Sequence, residues 1–364
     1  MKLSELVDHL NQAIPLSLQE GYDNSGLQVG NDGREINSGL LTLDVTEEVI
    51  EEAVQKECGI VISHHPLIFN GLKRIDKKTP AGRIIFRAIN NGIAIYSAHT
   101  NLDVLKNGVS FRMARTLGLE NLSVLQSLKN RLLKLVTFIP DEHLEKVRDA
   151  VFSAGAGITG NYDKCGFTVD GTGSFRAGEG AEPFIGEKGK MHFEKEVRFE
   201  TVLFSHLRDK VIKALLDAHP YEEVAYDIIP LGNDNSGIGF GCIGYLSEAL
   251  DERDFLKAVS SSLSAKGIRY SKPAGRTIRK VALCGGAGAS LLNDAIAANA
   301  DAYLTSDLKY HSFSDAGDQI LLIDCGHYET EKYATGILYD LIIEKFPTFA
   351  LRFSEINTNP INYL

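Results

Sequence analysis

Three segments of this chain end an apolar run in side chains that can ligate a metal. Cys58-Gly-Ile-Val-Ile-Ser-His-His-Pro66 reads as a buried strand that delivers two adjacent imidazoles at its carboxyl end, the edge where open α/β sheets bind ligands. Ile93-Ala-Ile-Tyr-Ser-Ala-His-Thr-Asn-Leu-Asp103 and Gln319-Ile-Leu-Leu-Ile-Asp-Cys-Gly-His-Tyr-Glu-Thr-Glu331 repeat the pattern. Together they offer His64, His65, His99, Asp103, His327 and Glu331, a nitrogen and oxygen set suited to one or two transition metals. A single histidine is more often structural or capping than a ligand. Three strand ends converging on such residues favour a metal site.

Spacing favours two ions over one. Neighbouring strand residues point to opposite faces, so His64 and His65 reach one ion only across a sharp turn, whereas two ions use both. Asp103 and Glu331 can each share oxygens between ions held roughly 3.5–4 Å apart. His327 and Glu331 are four residues apart and share a face if Thr330–Phe346 continues as a helix, whose start also favours a carboxylate. Cys325 reads first as a core thiol and second as a ligand.

The elements that must position these residues alternate. Leu3–Ala13 has helical periodicity, with Leu3, Leu6, Val7 and Leu10 on one face. Strand Gly39–Val45 leads through a Thr46 cap to helix Glu47–Glu57. Strand Ile60–Ser63, helix Pro80–Asn91, strand Ile93–Ala98 and helix Gly108–Leu117 follow. The last third repeats the scheme: strand Lys280–Cys284, a tight loop at 285–289, helix Ser290–Asn299, strands Ala302–Thr305 and Ile320–Asp324, helix Thr330–Phe346 and strand Phe349–Ser354. The fold class is therefore α/β, two related lobes with mainly parallel sheets and the ligands meeting in the cleft between them. The Gly-rich loop Cys284–Ala289 lacks the Gly-Lys-Ser/Thr of a phosphate-binding loop. Tight strand–helix packing explains it as well as anion binding at a helix start does.

The middle differs. Strand Arg131–Pro140, helix Leu144–Gly155, strand Val197–Phe204, helix Leu207–Ala218 and strand Val224–Leu231 fit an inserted ferredoxin-like α+β domain of order β-α-β-β-α-β. A glycine-rich stretch, 155–189, interrupts it, and Gly171–Gly189 reads as an exposed, mobile loop. The expected domains are a first lobe at 1–127, the insert at 128–233 and a second lobe at 234–364, with Gly232–Gly237 as the exit linker.

Composition sets the class. With 364 residues, 44% of them hydrophobic and 24% charged, the chain suits two or three ordinary globular domains. A net charge of −10 argues against a nucleic-acid partner, which needs a basic footprint. Five cysteines without a Cys-x-x-Cys pair read as reduced thiols of a cytoplasmic protein. The N-terminus lacks a signal peptide's apolar core, and no segment is apolar over the length that a membrane span needs.

The motifs carry a resemblance. His64-His65-Pro66, Ser97–Asp103, Gly326–Glu331, Tyr22-Asp-Asn-Ser-Gly-Leu-Gln-Val-Gly30 and Gly239-Phe-Gly-Cys-Ile-Gly-Tyr-Leu246 resemble, in order, the motifs of the NIF-three-like family, the GTP cyclohydrolase 1 type 2 homologues, over 1–127 and 234–364. The middle, with His219-Pro-Tyr-Glu-Glu-Val224, is similar to the PII-like, cation-tolerance-like insert of the longer bacterial members. The resemblance implies a dinuclear metal centre between two α/β lobes, ligated by His64, His65, Asp103, His327 and Glu331. It also implies a homohexameric ring, a trimer of dimers with the metal sites facing inward and the inserts covering the openings.

The first functional expectation is a metal-dependent hydrolase, in which two divalent ions activate water against a nucleotide or other phosphorylated small molecule. With GTP, attack at C8 would open the imidazole ring and release formate. His99, Asp307 and His311 are the candidate general acid/base residues. His99 and Asp44 read equally as orienters of ligands, and Asp23 and Asn24 as turn formers. A phosphoesterase is a variant of the same chemistry. The alternative is a non-enzymatic metal carrier, chaperone or regulatory assembly. Zn, Mn, Fe, Co and Ni all suit this donor set.

Overall fold

The computed structural model describes residues 1–30, 33–129, 131–233 and 237–364. The chain forms two compact units, one made of Met1–Ser127 with Ser236–Leu364 and the other of Leu128–Asn235. The expected exit linker Gly232–Gly237 falls partly outside the described residues.

The first unit holds two sheets. One runs Gly26–Val29, Ala94–Ser97, Ile60–Ser63, Ser38–Thr42, Ala350–Phe353, and all but the first of these strands are parallel. Leu3–Ala13 forms as expected, and it buries Leu3, Leu6, Val7 and Leu10. Helices Glu47–Gln55 and Pro80–Asn90 cover the other face. The Thr46 hydroxyl accepts the Val49 amide and so caps the first of them. The second sheet runs Arg269–Tyr270, Leu321–Asp324, Ala302–Thr305, Thr277–Leu283, Gly239–Asp251, Glu120–Ser127. Its second to fourth strands are parallel and the flanking ones antiparallel.

The two lobes exchange elements. After Thr100–Asp103, helix Val109–Thr116 leaves the first sheet and buries Phe111, Met113 and Ala114 in the core of the second, which strand Glu120–Ser127 then joins. After His327–Glu331 the chain crosses the other way. Helix Ala334–Lys345 buries Ile337, Leu338 and Ile342 in the first core, and Ala350–Phe353 completes the first sheet. Both crossings begin at segments bearing Asp103 and Glu331, so the exchange ties these carboxylates to both cores at once.

The expected continuous helix Thr330–Phe346 is corrected to two, His327–Glu331 and Ala334–Lys345. The Thr330 hydroxyl donates back to the carbonyl oxygens of Gly326 and His327, and the Lys332 amine to that of Leu263. The Thr330 bonds close the first segment locally, and the Lys332 bond ties its end to a carbonyl 69 residues away. His327 and Glu331 still share one face, on a short helix of their own.

In the second unit, strands Gly166–Arg176, Met191–Phe204, Leu132–Pro140 and Tyr226–Leu231 form one antiparallel sheet in that order. Helices Leu144–Ser153 and Arg208–Ala218 pack on its core. The chain order is β-α-β-β-α-β. Gly166–Arg176 is the strand that glycine content hid. Its eleven residues pair with Met191–Phe204 throughout, where sequence led us to expect a loop from Gly171.

Candidate metal centre

The first sheet ends at Ser63, and the chain is turned there by the Ser63 hydroxyl, which donates to the His65 carbonyl oxygen at 2.8 Å and also meets the Ser97 hydroxyl at 2.8 Å. That turn brings both imidazoles to one place, with ring centroids 5.1 Å apart. From the second sheet, Gly326 starts the next segment at φ +87°, and a Cβ there would lie 2.3 Å from the Glu329 carboxylate. Glycine is therefore required just ahead of His327.

Glu331 sits at the centre. Its Oε2 is 2.8 Å from His65 Nε2 and 2.8 Å from His327 Nε2, and 3.9 Å from His64 Nε2. His64 Nε2 is also 3.6 Å from Asp103 Oδ1. Three sets of donor atoms each converge within 4.8 Å: His64, His65 and His99; His65, His327 and Glu331; His64, Asp103 and Glu331. The six residues singled out from sequence therefore come together.

Every one of the four imidazoles is held through Nδ1. His64 bonds the Ala98 carbonyl oxygen at 2.7 Å, His65 the Asp44 carboxylate at 2.6 Å, His99 that of Asp23 at 2.8 Å and His327 that of Asp307 at 2.7 Å. Such partners fix the ring and leave the other nitrogen to a metal. Asp307, an acid/base candidate from sequence, is thus hydrogen-bonded to His327. Asp44 also accepts from the Thr358 hydroxyl at 2.8 Å. Asp23 does more than shape a turn, since its fully buried carboxylate also takes the Thr100 amide. The sequence signal for Asp23 was only its place in a motif. Thr358 carried none. His311 is exposed beside Tyr310, and no hydrogen bond or ion pair among the described residues ties it to the cluster. Cys325 is buried in the second core.

Electrostatics divides the residues. Burial pushes the His64 imidazole down to about 3, which keeps it neutral. Burial also opposes charge on His65 and His327. Their hydrogen bonds to carboxylates outweigh it and raise them to about 10 and about 9. Glu331, although buried, is held well below the usual carboxylate range by His327 and His65. Asp103 goes the other way, raised by burial and by the Glu331 charge. His64 Nε2 and Asp103 Oδ1 are buried without a hydrogen-bond partner. Buried polar atoms normally have one, and a cation fits both these atoms and the donor chemistry around them.

The Gly-rich loop packs against this cluster. Gly286 has φ +63°, and a Cβ there would fall 1.9 Å from Glu331 Oε1. Its amide donates to the Thr330 hydroxyl at 3.0 Å. Close packing accounts for its glycines.

The profile of the Duf34/NIF3 (NGG1p interacting factor 3) family matches residues 1–360. A protein of Halalkalibacterium halodurans named GTP cyclohydrolase 1 type 2 homolog is 38% identical over 355 residues, covering 96% of this chain and 95% of that one. A Bacillus subtilis protein of the same name is 38% identical over 365 residues, covering 99% and 98%. The crystal structure of a Bacillus cereus protein related to NIF3 superposes with a TM-score of 0.86 at 39% identity, covering 100% of this chain and 99% of that one.

Proposed function

Because the chain belongs to the Duf34/NIF3 family, we propose that it is a dinuclear metal protein that hydrolyses a nucleotide-type substrate. The observation that carries this reading is the buried, unpartnered pair His64 Nε2 and Asp103 Oδ1 beside the His65, His327 and Glu331 group. His64 and Asp103 would hold one divalent ion, His65 and His327 the other, with Glu331 shared between them. Zn, Mn, Fe, Co or Ni would fit these donors. Such ions would supply the Lewis acidity that brings the pKa of water from about 15.7 towards 7 and polarises the bond attacked.

The chain's own residues would do the rest. Asp44 and Asp307 keep His65 and His327 in the rotamer and tautomer that present Nε2. His99, beside His64 and His65 and anchored on Asp23, would exchange a proton with a leaving group. His311 stays in this reading only as a solvent-facing acid/base candidate. GTP is the first substrate to try because relatives bear that name. Formate release from GTP, and phosphoester hydrolysis as the variant, would be assayed on chain reconstituted with each metal. Turnover that needs metal and is lost in Glu331→Gln supports the hydrolase. Full metal content with no turnover on either substrate class favours the carrier or regulatory alternative.

The family also leads us to propose a homohexameric ring, a PII-like role for the unit 128–233 inserted in sequence between the segments 1–127 and 234–364, and a cytoplasmic setting. Among the described residues no helix is long and apolar enough to cross a membrane. Light scattering tests the ring, with six chains expected.

A further inference from the structure

The Leu128–Asn235 unit contains a cavity of about 590 Å³ that includes none of the candidate metal-centre residues, a size typical of small-molecule sites. Its floor is the strand Gly166–Arg176. Alternation and register place Val169, Gly171, Gly173 and Phe175 on one face, opposite Arg198, Glu196, Glu194 and His192. Two glycines in a strand interior weaken the strand, and they recur where a ligand approaches the backbone. Neither is needed for a left-handed conformation, because neither has a positive φ.

The lining is selective. Glu196 leans over Gly173, where a Cβ would lie 2.1 Å from its Oε2, and its Oε1 accepts the Tyr221 hydroxyl at 2.8 Å. The Tyr221 ring lies 6.3 Å from that of Phe175 and 6.2 Å from that of Phe184. Four carboxylates line the space (Asp170, Glu196, Glu222 and Glu223) against one guanidinium, Arg198. Arg198 is already paired with Glu200 at 2.8 Å. Glu196 makes no ion pair among the described residues. Aromatic faces with an uncompensated carboxylate are the surroundings that recognise organic ammonium groups.

We propose that this cavity binds a small organic cation, an ammonium carried on an apolar or aromatic body, with the charge at Glu196 and the body among Phe175, Phe184 and Tyr221. The proposal is independent of the hydrolase reading. It is tested by calorimetric titration of the full-length chain with benzyltrimethylammonium, benzyl alcohol and 3-phenylpropanoate. The cation should bind on the order of tenfold or more tightly than the neutral compound, and the anion should not bind. Glu196→Gln should weaken cation binding about tenfold. Gly171→Leu, which points a side chain into the trough, should abolish it with metal content unchanged. Equal binding of cation and alcohol, or cation binding unchanged in Glu196→Gln, overturns the proposal. A change of particle mass in Gly171→Leu without loss of cation binding also overturns it, because the face is then a contact between copies.

Discussion

His64 Nε2 and Asp103 Oδ1 face each other at 3.6 Å, both buried and neither with a hydrogen-bond partner. Such an arrangement costs stability and is kept where function requires it. Asp103→Asn keeps the shape and removes a carboxyl whose ionisation burial and the neighbouring Glu331 charge oppose. The metal-free variant should melt higher than the parent, by the equivalent of about 1 kcal/mol. The stabilisation that saturating metal confers on the parent by mass action should be largely lost. Thermal melts with and without metal check both halves, and a metal-free variant less stable than the parent contradicts the first.

The pH dependence of the metal-free protein follows from the shifts. His65 and His327 are raised to about 10 and about 9, so their contribution is complete below the ordinary imidazole value of about 6.5 and is lost as pH rises through 9 and 10. Glu331 is lowered, so its contribution is present above the ordinary glutamate value of about 4.3 and is lost as pH falls. His64 is depressed to about 3, which penalises the fold as pH drops below about 6.5. Asp103 is raised, which penalises the fold as pH rises above the ordinary aspartate value of about 3.9. Denaturation midpoints should therefore peak within the range from roughly 4.5 to 6.5. Metal affinity should rise with pH beyond that point, because His65 and His327 must release protons to bind.

Much of this site was legible in the sequence, because strand ends fix where side chains go. An apolar run ending in His64-His65, and a second ending at Asp103, needed only parallel pairing to bring them together, and Ile60–Ser63 and Ala94–Ser97 are neighbours. What stayed hidden depends on chain crossing. Nothing local says that Glu120–Ser127 joins the far sheet or that Ala350–Phe353 returns to the first. Gly166–Arg176 was hidden because its glycines carry no strand preference, and its pairing with Met191–Phe204 supplies the order that local sequence lacks. Thr358 reaches Asp44 from 314 residues away, a contact that no local spacing encodes.

The orienting carboxylates make a separate prediction. Asp44→Asn and Asp307→Asn leave the ligands in place and weaken the hold on His65 and His327 Nδ1. Each should lower metal affinity about 10–100-fold with little change in secondary structure, measured by competition with a chromophoric chelator. An affinity equal to the parent's in both variants contradicts the orienting role.

Gly286→Ala places a methyl group where Glu331 Oε1 lies, at a positive φ. It should destabilise the protein by on the order of 1 kcal/mol or more and reduce metal uptake by displacing Glu331. Chemical denaturation and metal content after reconstitution read the two effects separately.

The central claim is that five side chains hold two ions, and elemental analysis of the purified, reconstituted chain tests it most directly. Two metal atoms per chain, reduced in both His64→Ala and His327→Ala, is the predicted result. One atom or none in the parent, or full content in both variants, would contradict it.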